Sequence, residues 1–118
     1  MMLIIGGAGQ GKLDYALEKT GYGMEQVART PEEARTKPVF AGLEHWPELD
    51  EDALLAANPE VILICDEVGC GVVPVEPEQR AWREQVGRLC CRLAKRAERV
   101  ERIFCGLPMV LKGEGPWN

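Results

Sequence analysis

Seven residues near the start of the chain, Gly6-Gly7-Ala8-Gly9-Gln10-Gly11-Lys12, are of the types that a phosphate-binding loop needs. They fit the pattern G-x-x-x-x-G-K. Glycines let backbone N–H groups turn inward around an anion. A helix starting at the end of the loop adds partial positive charge. Lys12 supplies a point charge for the outer phosphates. The next position usually carries a Ser or Thr whose hydroxyl ligates Mg²⁺, and here it is Leu13. The pattern therefore points to a nucleotide-phosphate site, Gly6 to Leu13, whose one departure lies at the metal. A structural Gly-rich turn is the competing reading. The dinucleotide fingerprint G-x-G-x-x-G fits less well. Read from Gly7, it puts Lys12 where the third glycine belongs; read from Gly6, it puts Ala8 at the second.

A second cluster follows the apolar run 61–65 (VILIC), which ends in Asp66-Glu67. In open α/β sheets ligands gather at the carboxyl ends of strands. An acid there, beside a phosphate loop, is placed to hold Mg²⁺. Asp66 is the candidate metal ligand, and a solvated turn is the alternative. The sequence leaves open which of the two acids faces the metal. Arg80 and Arg83, near the start of a later helix, are candidates to reach a triphosphate. The remaining basic residues of the last third alternate with acids and read as a solvated helix face, where a pair such as Glu84–Arg88 contributes only ~0.3 kcal/mol. His45 is the single histidine. It falls in a predicted loop, Leu43-Glu44-His45-Trp46-Pro47, as a candidate nucleophile set against a surface or packing role.

These residues need a scaffold, and 118 residues give one domain over 1–112, with 113–118 expected as a flexible tail. A hydrophobic fraction of 46% is ordinary for a globular chain. The net charge of −5 argues against generic nucleic-acid binding. No apolar run approaches the roughly 20 residues of a membrane span, and the first residues lack the basic stretch of a signal peptide. A cytoplasmic location is the expectation. The five cysteines form no C-x-x-C pair, so a zinc site is not expected. Cys65 and Cys105 fall in apolar runs and read as core residues. Cys90 and Cys91, adjacent on a helix, point about 100° apart, so at most one faces inward.

The elements alternate. A strand over 2–5 leads through the glycine loop into a helix over 12–19, with Tyr15, Ala16 and Leu17 as packing residues, ended at Gly21. Thr30-Pro31-Glu32-Glu33 reads as a helix start with Thr as N-cap. A short strand is predicted over 38–43 and a small helix over 50–58, stopped at Asn58-Pro59. The run 61–65, apolar throughout, reads as a strand covered on both faces. Glycines 69 and 71 and Pro74 make a loop. Trp82, Val86, Leu89 and Leu93 form one buried stripe of a long helix over 78–97. Two closing strands, 100–105 and 109–111, flank a turn at Gly106-Leu107-Pro108. The result is an α/β fold, mostly parallel and flanked by helices, of reduced P-loop NTPase type.

The string Glu67-Val68-Gly69-Cys70-Gly71-Val72-Val73-Pro74 carries a more specific likeness. E-V-G-x-G-[IV]-V-P, an arginine-bearing helix with Gly87-Arg88, then Cys105-Gly106-Leu107-Pro108 and Leu111-Lys112, resembles the adenosylcobinamide kinase / adenosylcobinamide-phosphate guanylyltransferase family. The likeness spans 2–16 and 66–112, and the stretch 20–60 is shorter than the family's. It implies a homo-oligomeric P-loop α/β protein. It also implies phosphorylation of the corrinoid adenosylcobinamide, followed by GMP transfer from GTP, with GTP or ATP and Mg²⁺ as the bound groups. Gly6 to Lys12 would hold the phosphates, Glu67 would act near the nucleotide, and Lys12 would serve catalysis. With Leu13 lacking a hydroxyl, Asp66 or Asp14 would serve Mg²⁺. His45 is the one residue available to accept GMP. A non-catalytic nucleotide-binding or interaction module of the same fold is the alternative, as is a P-loop phosphotransferase acting on another small hydroxylated substrate.

Overall fold

The computed structural model describes residues 1–67 and 76–113. Residues 68–75, which carry most of the E-V-G-x-G-x-V-P string, and 114–118, most of the expected tail, lie outside the described residues. Six strands form one sheet: β1 (Met2–Gly6), β2 (Val27–Ala28), β3 (Val39–Ala41), β4 (Ile62–Asp66), β5 (Arg99–Phe104) and β6 (Leu107–Lys112). Their spatial order is β2-β3-β4-β1-β5-β6. Every pairing is parallel except β5 with β6. The helices are α1 (Lys12–Thr20), α2 (Pro31–Ala34), α3 (Glu51–Ala57) and α4 (Pro77–Arg96).

β1 and β4 lie at the centre, which is why they are apolar at successive positions. Alternation along them divides the core in two. On one face Leu3, Leu63, Cys65 and Val100 pack with Val86, Leu89 and Leu93 of α4 and with Phe40, Leu43 and Leu54. Trp82 and Leu55 border this cluster, half-buried. On the other face Ile4, Ile62, Ile64 and Ile103 pack with Tyr15 and Ala16 of α1. Among the described residues one charge is wholly enclosed: Glu101 accepts from the Tyr15 hydroxyl and pairs with Arg99.

Local signals set the helix ends. The Thr30 hydroxyl accepts from the Glu33 amide at 3.2 Å, and Gly21 adopts the left-handed conformation that closes α1. Thr30→Ala is expected to destabilise the chain by about 1 kcal/mol. A lower urea midpoint at unchanged slope would show it.

One strand was not foreseen and two expectations change. β2 has only two residues, too short to show alternation in sequence. Leu107 and Pro108 belong to β6, and the turn is Cys105-Gly106, with φ of +52° and +75°. Both residues being left-handed suits a two-residue hairpin, and Pro108 is tolerated because β6 is an edge strand. Cys105 is therefore exposed on that turn and is not a core residue. Cys65 is buried, and its sulfur lies 3.5 Å from that of Cys90 on α4, while Cys91 is exposed. Contact with Cys90, then burial, pushes the Cys65 thiol above its ordinary range, so it stays protonated.

Candidate functional site

β1 ends at Gly6, and the chain turns through residues 7–11 into α1. Two glycines of the loop, Gly9 (φ +74°) and Gly11 (φ +86°), hold left-handed conformations that L side chains rarely adopt. Gly7 is half-buried and Ala8 exposed. Gln10 fastens the loop to the β5–β6 turn. Its side-chain oxygen accepts from the Cys105 amide at 2.6 Å, and its carbonyl accepts from the Gly106 amide at 2.8 Å.

Lys12, only 6% exposed, folds back over this loop. Its ammonium donates to the Gly7 carbonyl at 2.8 Å and pairs with Asp66 Oδ1 at 2.6 Å. The pair meets because β4 lies beside β1 with Asp66 directly opposite Gly6. The neighbouring acid goes elsewhere. Glu67 accepts from Arg102 through both carboxylate oxygens, at 2.8 and 3.0 Å. Arg102, two residues on from Val100, lies on the α4 side of the sheet. Strand alternation thus sends Asp66 to the loop and Glu67 to the opposite side.

The wall across from the loop is built by residues that follow β3. Gly42 turns with φ +83° into a short 3-10 segment, Leu43–His45. Glu44 is nearly buried. One of its carboxylate oxygens accepts from the Asp66 amide at 3.0 Å, and the other lies 3.3 Å from His45 Nε2. The Glu44 carbonyl accepts from the Trp82 indole at 2.9 Å, tying this wall to α4. His45 itself is largely exposed.

These walls enclose a cleft of about 660 Å³. Gly9, Gly11, Lys12, Leu13 and Asp14 line one side; Gly42, Glu44, His45 and Arg29 line the other, with Asp66 on its floor. Arg80 is exposed and Arg83 half-buried on the first turns of α4, and neither lines the cleft. Arg29 and Glu44 are cleft residues that the sequence reading passed over. Both carry a signal in hindsight: Arg29 directly follows a strand, and Glu44 is the acid next to the single histidine.

The charges indicate what the cleft accepts. Lys12 and Arg29 face Asp14, Glu44 and Asp66, so with His45 neutral the acids outnumber the cations by one. A phosphate-bearing ligand would compete with Asp66 for Lys12, and the carboxylate so released is of the type that could hold a divalent cation. Mg²⁺ suits this arrangement because it takes one or two carboxylates and completes its shell with phosphate oxygens and water. Among the described residues no cluster of three ligating side chains exists.

A mostly parallel sheet whose first strand runs through a glycine loop and lysine into a helix, with an acid ending the adjacent strand, is a P-loop-like α/β architecture. The chain belongs to the cobinamide kinase / cobinamide phosphate guanyltransferase family, whose model matches residues 43–111. A relative from Pseudomonas aeruginosa, the bifunctional adenosylcobalamin biosynthesis protein CobP, is 44% identical over 69 residues. That stretch covers 55% of this chain and 40% of the relative, so this chain spans less than half the length of the curated protein it matches. The family match takes in Glu44, His45, Asp66 and Glu67. The glycine loop and Arg29 precede it.

Proposed function

We propose that this chain binds the phosphates of GTP or ATP with Mg²⁺ and serves cobalamin nucleotide-loop assembly as a cobinamide kinase / cobinamide-phosphate guanylyltransferase. The observation that carries the reading is Lys12, held between the Gly7 carbonyl and the Asp66 carboxylate at the mouth of the cleft. Bound phosphates take over the Lys12 ammonium and the amides of residues 7–12. Asp66, with Asp14 on the rim, would hold Mg²⁺, whose charge would offset that of the phosphates. Catalysis in such a site is mainly positioning and charge stabilisation.

His45 is the residue proposed to accept GMP. Glu44, lying at Nε2, fixes the imidazole and leaves Nδ1 as the nucleophile. Nδ1 attacks the α-phosphorus of GTP and pyrophosphate leaves. The phosphate of the acceptor then attacks the same phosphorus and frees the histidine. Glu67, paired with Arg102, acts in this reading by holding the end of β4 from the side away from the cleft. Adenosylcobinamide is the proposed corrinoid acceptor. A homo-oligomer and a cytoplasmic location belong to the same reading. Among the described residues no helix is long and apolar enough to cross a membrane.

Calorimetric titration with GTP and with ATP, each with and without Mg²⁺, tests the reading. Saturable binding that requires Mg²⁺ is the expected result. No binding of either nucleotide to folded protein would overturn it. Leu13 favours a second reading, a nucleotide-binding module that does not turn over. In that case Leu13→Ser, which supplies the missing hydroxyl on the cleft wall, raises turnover by about tenfold or more, the equivalent of ~1.4 kcal/mol in the barrier. Turnover by the parent itself would overturn this second reading.

A further inference from the structure

On the α4 face of the sheet, two thiols meet between strand and helix. The sulfur of Cys65, on β4, lies 3.5 Å from that of Cys90, which follows it by 25 positions in the chain. Among the described residues these are the two sulfurs in contact, while Cys91 and Cys105 are exposed on their own elements. The pair differs in access. Cys65 is wholly buried. Cys90 is half-buried and lines a groove of about 510 Å³ between α4 and the sheet, walled by Leu3, Ile5, Val100 and Leu111. A molecule the size of hydrogen peroxide reaches Cys90 through that groove and does not reach Cys65.

The two thiols also differ in ionisation. Contact with Cys65 holds the Cys90 thiol below its ordinary range, against burial and the nearby carboxylates of Glu44 and Glu67. A neutral thiol stabilises a neighbouring thiolate by hydrogen bonding. Cys65, correspondingly, keeps its proton. The thiolate is the nucleophilic form of cysteine, so the reachable thiol of the pair is also the reactive one. Two small core residues packed in contact would account for the burial of Cys65. They would not account for the opening of Cys90 onto the groove.

We infer that Cys90 and Cys65 are a peroxide-reactive dithiol, in which Cys90 is oxidised and Cys65 then closes a disulfide with it. The Cys90 thiolate attacks one oxygen of hydrogen peroxide. The O–O bond breaks and hydroxide leaves to take a proton from solvent, giving a sulfenic acid on Cys90. The Cys65 sulfur next attacks the Cys90 sulfur. The S–O bond breaks, and the departing hydroxide takes the Cys65 proton and leaves as water. Two thiols and one peroxide give one disulfide and two waters, and the two electrons lost by the sulfurs reduce the peroxide. From 3.5 Å the sulfurs have about 1.5 Å to close to a bond length of about 2.05 Å. The bond ties the residue before Asp66 to α4. In a reducing compartment it is transient and is reopened by thiol exchange. The chemistry needs no nucleotide and stands apart from the function proposed above.

The test uses the full chain carrying Cys70→Ser, Cys91→Ser and Cys105→Ser, which leaves the pair alone. The folded protein is treated with hydrogen peroxide, unfolded in iodoacetamide and weighed by mass spectrometry. The expected product takes up no iodoacetamide and regains both thiols in dithiothreitol. Adding Cys65→Ser should stop the reaction at a Cys90 sulfenic acid, trapped by dimedone. Adding Cys90→Ser instead should leave Cys65 unoxidised. The unsubstituted chain, digested after the same treatment, should yield a cross-linked peptide joining Cys65 to Cys90, a readout that holds even if the serine variants fail to fold. Two alkylatable thiols after treatment, or a Cys90 sulfinic acid without the cross-link, would overturn the assignment. So would dimedone labelling of Cys65 in the Cys90→Ser protein, or a cross-link in the unsubstituted chain that bypasses either member of the pair.

Discussion

Lys12→Met is expected to lower the affinity for Mg²⁺–GTP by about a hundredfold or more while the chain stays folded. Methionine keeps most of the lysine stem, which is buried beside Gly6. What is lost is the ammonium. In the absence of ligand it bonds to the Gly7 carbonyl and Asp66, and in the liganded state it faces phosphate oxygens. Each charged hydrogen bond there is worth about 1.5–3 kcal/mol, so two account for the loss. Stability should change far less. Asp66 is about one-third exposed, so water can solvate its carboxylate once the lysine is gone. Lys12→Arg should not rescue binding, because a rigid planar fork does not fit where a point charge sits under a tight loop. Calorimetry with thermal melting of the same samples reads both quantities. Parent-like binding by Lys12→Met would remove the phosphate-loop argument.

The parts of this site legible in sequence are those written in short contiguous strings. The glycine loop, Lys12 and the start of α1 are consecutive, and the β4 run is apolar because both its faces are covered. Other parts depend on register. Asp66 and Glu67 are adjacent in sequence and look equivalent there. Only the alignment of Gly6 with Asp66 shows which acid meets Lys12. The clasp between Gln10 and the Cys105-Gly106 turn joins segments 95 residues apart. It follows from β5 lying beside β1 and from a turn two residues long, which the apolar run through Cys105 concealed. Arg29 was hidden by the brevity of β2, whose two residues carry no pattern. In sequence Arg80 and Arg83, at the start of α4, looked better placed to reach phosphates. It points elsewhere because the stripe Val86, Leu89 and Leu93 fixes the helix rotation against the far face of the sheet.

Gly6→Ala is expected to destabilise the chain by about 3 kcal/mol and to lower its melting temperature by roughly 10 °C. The reason is not conformational freedom, because Gly6 is not in the left-handed region. A β-carbon there would lie 2.5 Å from the Ile103 carbonyl oxygen, a backbone atom of β5. It would also lie 3.3 Å from Cδ of Lys12. The carbonyl cannot swing aside as a side chain would. Relief therefore requires β1 and β5 to part at the end that carries the phosphate loop, which would also loosen the clasp on Gln10. Two neighbouring glycines serve as controls. Gly7→Ala meets nothing closer than Gln10 Cγ at 3.7 Å, an ordinary contact. Gly9→Ala has open space but a φ of +74°, so it carries only the left-handed penalty of about 1–2 kcal/mol. The expected order of melting temperatures is Gly7→Ala highest, Gly9→Ala next and Gly6→Ala lowest. If Gly6→Ala melted with or above Gly9→Ala, β5 would have room to yield. The close approach of the two strands would then not be what demands a glycine at the mouth of the loop.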